Sequence, residues 1–187
     1  MKIIEKIKEK YAYYVLRRSS AKITRIKHLL GYTEARSFAL LFTAYRKEDI
    51  DLVKRITRSL RSDQKNVYEI IFVPDNDKQP LADPAVNRLI IEQKDLNWFR
   101  MPSEIVIERL SELDVDYMID FTIMDFYPFI YLSAISRAKI RIGMQSDIKQ
   151  PFYDFMIASQ TDSVELLAQY IMHYLKIINA PNHGEKI

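Results

Sequence analysis

The chain has 187 residues, 48% of them apolar, and a net charge of +3; it fits one globular domain with a real core plus an extension, and excludes a disordered chain. The absence of cysteine excludes disulfides, thiolate zinc sites, iron–sulfur clusters and a cysteine nucleophile, and fits a reducing compartment such as the cytoplasm. Residues 1–28 hold nine Lys and Arg against two Glu, net +7, whereas the remainder holds 19 against 23, net −4, so the basic character belongs to the N-terminus.

Residues 3–20 place Ile3, Ile4, Ile7, Tyr11, Tyr14, Val15 and Leu16 at helical spacing with Lys and Arg between them, which predicts an amphipathic basic helix. It leads through Ser19 and Ser20 into a second basic stretch, 22–28, and Gly31 breaks the pattern. The apolar run at 37–43 predicts a strand buried on both faces. Ile50, Val53, Ile56 and Leu60 then predict a helix, and 67–73 a second strand, ended by Pro-Asp-Asn-Asp at 74–77. A polar loop with Pro80 and Pro84 leads to a short strand at 89–91. Ser103 is placed to cap a helix carrying Val106, Leu110 and Leu113. Strands at 117–121 and 139–143 bracket an apolar helix over 126–137, with Pro128 in its first turn. Phe152 to Ile157 reads as a last strand. Asp162 and Glu165 have the spacing of a capping box, opening a final helix with Val164, Leu167, Ala168, Ile171, Leu175 and Ile178 on one face. The tail beyond Asn179 reads as frayed. This alternation predicts a three-layer, Rossmann-like α/β fold with a mostly parallel sheet and helices on both faces. Residues 1–30 form a basic helical arm, 31–180 a single domain and 181–187 a flexible tail.

Membrane spanning is not expected. The nearest candidate, 121–136, holds Asp125 and Pro128 and falls short of the ~18–20 apolar residues a spanning helix needs. The first ten residues, MKIIEKIKEK, carry charge throughout and do not read as an export signal. The expected location is the cytoplasm, peripheral at the inner membrane if the arm docks there.

Three glycines, at 31, 143 and 184, cannot build a GxGxxG loop, a P-loop or a nucleophile elbow, each of which needs clustered glycines. No cofactor is expected. His28, His173 and His183 lie far apart without metal-ligand spacing, and no metal is expected. The remaining candidates sit where strands end, the edge at which open α/β sheets bind ligands. They are Thr43 and Tyr45 after the first strand, Glu48 and Asp49 in the following turn, Asp75 and Asp77 after the second, and Asp120 and Asp125 around the fourth. Asp75 and Asp77 read either as a cation or sugar-hydroxyl site or as a turn; Asp125 reads either as a ligand contact or as a helix cap. Gly143 permits close approach at a strand end. Trp98, in Asn97-Trp-Phe-Arg100, reads either as a stacking residue or as a plug on the sheet edge.

Residues 87–144 carry a further pattern: a helix ending Arg109-Leu-Ser-Glu-Leu113, then Asp116-Tyr-Met-Ile-Asp120, an apolar helix, and Ser136-Arg-Ala-Lys-Ile-Arg-Ile-Gly143. This resembles the N-terminal domain of heptosyltransferase-type glycosyltransferases, which transfer a sugar from a nucleotide onto lipopolysaccharide core. The whole chain also resembles a family of short bacterial proteins sharing an N-W-F segment. The first resemblance implies a Rossmann-like half of a two-domain enzyme, with a Gly-Asp pair after the first strand supplying the catalytic base. Here that turn reads Thr43-Ala-Tyr-Arg-Lys-Glu-Asp49, without Gly-Asp, and the 44 residues after Gly143 are too few for a nucleotide-sugar domain. The expectation is a non-catalytic binding or regulatory domain akin to half a glycosyltransferase. The alternative is an enzyme or enzyme subunit acting on a sugar or nucleotide.

For the arm, Lys6, Lys10, Arg17, Arg18, Lys22, Arg25 and Lys27 form the expected basic surface. Three readings stand: an anionic membrane surface, nucleic acid with Tyr11, Tyr13 and Tyr14 stacking on bases, or packing against the domain or a protein partner.

Overall fold

The computed structural model describes residues 2–74, 87–159 and 161–178, with side chains from residue 7 onward. The elements in chain order are α1 (Lys2–Ser20), β1 (Ser37–Thr43), α2 (Lys47–Ser62), β2 (Asn66–Val73), β3 (Asn87–Glu92), α3 (Glu104–Ser111), β4 (Tyr117–Asp120), α4 (Tyr127–Ile135), β5 (Ile140–Met144), β6 (Phe155–Ile157) and α5 (Val164–Ile177). A short 3₁₀ turn at Gln93–Asp95 follows β3.

The six strands pair in parallel in the order β3-β2-β1-β4-β5-β6. The chain winds outward from β1 to β3, then crosses back to β4 on the other side of β1, so the order reverses between β1 and β4. This is the arrangement of a Rossmann-like fold. The apolar run of β1 is continuous because both its faces are covered. Phe38, Leu40 and Phe42 meet α2 and α5, while Ala39 and Leu41 meet the layer of α3 and α4. Successive side chains of a strand point to opposite faces, so a strand with helices on both sides has no polar position to spare.

α1 adds an outer layer beyond α4. Ala12 and Leu16 are buried against Ile130, Tyr131 and Ala134 of α4 and against Met101 and Phe152. The extended segment after the helix is then tied down: Arg25 donates to the carbonyls of Ala138 and Lys139 at 3.1 and 3.0 Å, and the Tyr117 hydroxyl donates to the Leu30 carbonyl. Among the described residues, no helix is long and apolar enough to cross a membrane.

Several local details differ from expectation. The final helix is capped by Ser163, whose Oγ accepts the Leu166 N–H at 3.3 Å, rather than opened by Asp162. Ser103 occupies the N-cap position of α3, but its side chain makes no cap bond. Phe126, not Asp125, is the N-cap of α4. The last strand is confined to Phe155–Ile157. Phe152 and Tyr153 instead leave a turn at 147–152 and insert inward, where they are buried. Trp98 is not a plug on the sheet edge; it stands in solvent.

Candidate functional site

In a sheet of this order, the crevice for a ligand opens beyond the strand C-termini where the order reverses, between β1 and β4. Asp120 ends β4 there, paired in register with Leu41 of β1. Its side chain is fully buried and its carboxylate is fully engaged. Thr122 donates its N–H and its hydroxyl to Oδ1 at 2.8 and 2.6 Å. Tyr153 donates its hydroxyl to Oδ2 at 2.7 Å, and Lys149 Nζ lies 3.0 Å from the same oxygen. Lys149, itself buried, spends its other protons on the Thr122 carbonyl (3.0 Å) and Thr122 Oγ1 (3.2 Å). Ser133 Oγ of α4 sits 3.2 Å from the Tyr153 hydroxyl. A buried ion pair persists only when hydrogen bonds satisfy the remaining lone pairs and protons, and this cluster meets that condition from within. Burial first, and then the Asp120 charge, push the Tyr153 phenol well above its ordinary pKa. Tyr153 is therefore a hydrogen-bond donor here and not a proton shuttle at neutral pH.

Gly143 of β5 makes room for this arrangement. A Cβ at that position would stand 2.7 Å from Tyr153 Cε1 and 3.5 Å from Asp120 Cβ. The close approach anticipated at Gly143 is thus to a tyrosine ring of the protein itself. Gly143→Ala is expected to cost about 1–3 kcal/mol through overpacking, and Gly143→Ala with Tyr153→Leu to cost more, because Asp120 Oδ2 then loses the Tyr153 donor as well. Chemical denaturation of the single and double variants measures both.

A second buried polar cluster lies beside the first. Arg141 of β5 donates from Nη2 to the Ser136 carbonyl (2.6 Å) and from Nη1 to the Phe152 carbonyl (3.2 Å). Its Nε has no partner among the described residues. Burial, reinforced by the nearby Arg25 charge, lowers the Arg141 pKa to about 10. Asp154 accepts from Arg25 at 2.5 Å, from Lys27 at 3.0 Å and from the Arg141 N–H at 3.0 Å. Burial pushes Asp154 upward, but the Arg25 and Lys27 hydrogen bonds outweigh it and hold the carboxyl below its usual range. Arg25 and Lys27 thereby fasten the segment following α1 to the turn before β6.

The other residues singled out from sequence do not converge on one cavity. Thr43 ends β1 half-buried, and Tyr45 is half-exposed with its ring against Phe72, centroids 6.3 Å apart. Glu48 and Asp49 lie in the first turn of α2, where carboxylates suit the helix dipole. Asp49 is held bidentately by Arg46, at 3.2 and 3.0 Å. Both carboxylates line an open cleft of about 400 Å³ with Arg46, Arg55 and Glu165, on the α5 side, and Asp120 does not line it. Asp125 accepts the Ser146 hydroxyl at 2.6 Å. Asp75 and Asp77 lie outside the described residues. Of the basic set, Lys10, Arg17, Arg18 and Lys22 are exposed, whereas the Lys6 side chain lies outside those described. Among the described residues, no group of three metal-ligating side chains forms a metal site.

Lys149, Tyr153, Thr122 and Ser133 were not anticipated as partners of Asp120. The only local signal was Gly143, which marks a close approach without saying what approaches.

Comparison with solved structures places the fold. The chain is similar to a glycosyl transferase family 9 protein from Veillonella parvula DSM 2008, with a TM-score of 0.55 and 16% identity over 86% of this chain and 46% of the other. It is also similar to the E. coli heptosyltransferase WaaC solved with ADP, with a TM-score of 0.50 and 14% identity over 80% of this chain and 50% of the other. At this identity the likeness is one of fold, and the chain spans about half the length of these structures. No curated protein matches it in sequence. The family model that does match covers residues 8–178, from within α1 to just past α5, and the chain belongs to that family, the family of unknown function DUF6913.

Proposed function

We propose that this chain is a non-catalytic binding domain built on the glycosyltransferase-like half-fold, with residues 31–180 as the module and 1–30 as an arm upon it. The observation that carries the reading is the state of Asp120. At the position beside the reversal in strand order where a ligand group is expected, the carboxylate is saturated by Thr122, Tyr153 and Lys149. A ligand entering there must displace a buried ammonium, leaving a charge unpaired at a cost of several kcal/mol. The turn after β1 supports the same reading, because Asp49 is already paired with Arg46 and no Gly-Asp pair precedes it.

The test is a thermal-shift series with nucleotides and nucleotide-sugars, combined with a sugar-transfer assay on the full chain. A ligand at 100 times its Kd adds about 2.7 kcal/mol of stability. The expected result is no shift and no turnover. Turnover that disappears in Glu48→Ala or Asp49→Ala would overturn the proposal and make the cleft at the start of α2 an active site.

A further inference from the structure

The solvent-facing side of α1 has a composition that the packed side does not explain. While Ala12 and Leu16 are buried, Ile7, Tyr11 and Tyr14 are 56%, 44% and 58% exposed. They recur at i, i+4 and i+7 and so form one stripe. Lys10, Arg17 and Arg18 are exposed on the same face, and Arg18 donates to the Tyr14 hydroxyl at 3.3 Å. The one described acid of the helix, Glu9, sits on the flank that adjoins Tyr127.

A second element extends this stripe. The loop between Leu96 and Pro102 is closed by an antiparallel bridge. The Asn97 carboxamide accepts the N–H groups of Phe99 and Met101 at 2.9 and 3.0 Å. Arg100 takes a left-handed conformation, φ 61°, which non-glycine residues adopt infrequently. The loop thus directs Phe99 onto Tyr11, ring centroids 4.0 Å apart, and displays Trp98 at 64% exposure with Lys8 Nζ 4.2 Å above its ring. An exposed indole beside an aliphatic, aromatic and cationic helix face is the composition found at the boundary between lipid headgroups and acyl chains.

We infer that the outer face of α1, together with Trp98, is a docking surface for an anionic lipid membrane, which the protein lies on without crossing. Lys8, Lys10, Arg17 and Arg18 meet the headgroup charge, while Ile7, Tyr14 and Trp98 enter the interface. Nucleic acid fits less well. Stacking on bases needs free ring faces, but Phe99 takes one face of Tyr11, Lys8 lies over the Trp98 ring, and Ile7 has no role in base stacking.

The chain contains a single tryptophan, so Trp98 reports directly on the contact. The full-length protein is mixed with vesicles of phosphatidylcholine containing phosphatidylglycerol, and separately with vesicles of phosphatidylcholine alone. Expected are co-sedimentation with the anionic vesicles only, a blue shift of the Trp98 emission, and loss of binding as salt rises. Combined Lys10→Glu, Arg17→Glu and Arg18→Glu substitution weakens binding by roughly a hundredfold or more. Ile7→Ser with Tyr14→Ser weakens it while the circular dichroism stays unchanged. Absence of binding to anionic vesicles overturns the inference. So does binding without any emission shift, since it places Trp98 away from the contact, and so does salt-sensitive binding of single-stranded RNA by a protein that ignores the vesicles.

Discussion

Replacing Lys149 with Met lowers the unfolding free energy by about 3–5 kcal/mol. The reason is that the Lys149 and Asp120 side chains are only 1% and 0% exposed. Removing the ammonium leaves the carboxylate with the Thr122 and Tyr153 donors but without a counter-charge in a medium that solvates charge poorly. Asp120→Asn is expected to destabilise for the mirror reason, stranding the ammonium on the Thr122 carbonyl and hydroxyl. The double variant, Lys149→Met with Asp120→Asn, recovers much of the loss, because the neutral amide keeps its oxygen on the Thr122 donors and turns its NH2 to the Tyr153 oxygen, whose own proton then goes to Ser133 Oγ. Urea midpoints at unchanged m-value measure all three, and the coupling energy of the cycle isolates the pair. Single variants within about 0.5 kcal/mol of wild type would show that water reaches the pair, and that the crevice beyond β4 is open rather than filled.

Leu16→Ala is expected to cost about 2–5 kcal/mol. Leu16 is completely buried among Ile130, Tyr131, Ala134 and Phe152, so truncation leaves a cavity in a layer that α1 closes from outside. The outcome also states what kind of object α1 is. Trp98 emission reports the α1 contact through Lys8 and through Phe99 on Tyr11, while far-ultraviolet circular dichroism reports the whole chain. Coincident transitions mean that α1 unfolds with the sheet as one unit. A Trp98 transition that precedes the dichroism, with a global midpoint unmoved by Leu16→Ala, would make α1 a helix that opens locally. The membrane-facing stripe requires the docked helix, because only then do Ile7 and Tyr14 share a surface with Trp98.

Burial on both faces is written into the sequence of β1 itself, since 37–43 has no polar residue between its ends and helices must cover both sides. The same holds for α2 and α5, whose apolar residues recur at helical spacing, and from these elements the parallel α/β class follows. The missing motifs were equally plain, because three scattered glycines cannot form a GxGxxG loop or a P-loop. Caps were less so: Asp162 and Ser163 are adjacent and both are good caps, and the choice rests on backbone dihedrals that composition does not encode.

The partners of Asp120 were decided only by the folded chain. Lys149 lies in Asp-Ile-Lys-Gln, which reads as a solvated turn. It is carried inward because Phe152 and Tyr153, which follow in the same turn, insert into the space between β5 and α4. The separations involved, 27 residues from Thr122 to Lys149 and 33 from Asp120 to Tyr153, are bridged by topology and not by any local period. Arg25 reads as one more surface charge of a basic arm, yet it is clamped in place because the segment before β5 presents two carbonyls, and the residue before β6 a carboxylate, where the arm passes. Periodic burial is a local property of a chain, whereas the pairing of buried charges depends on which distant segments the sheet order brings together.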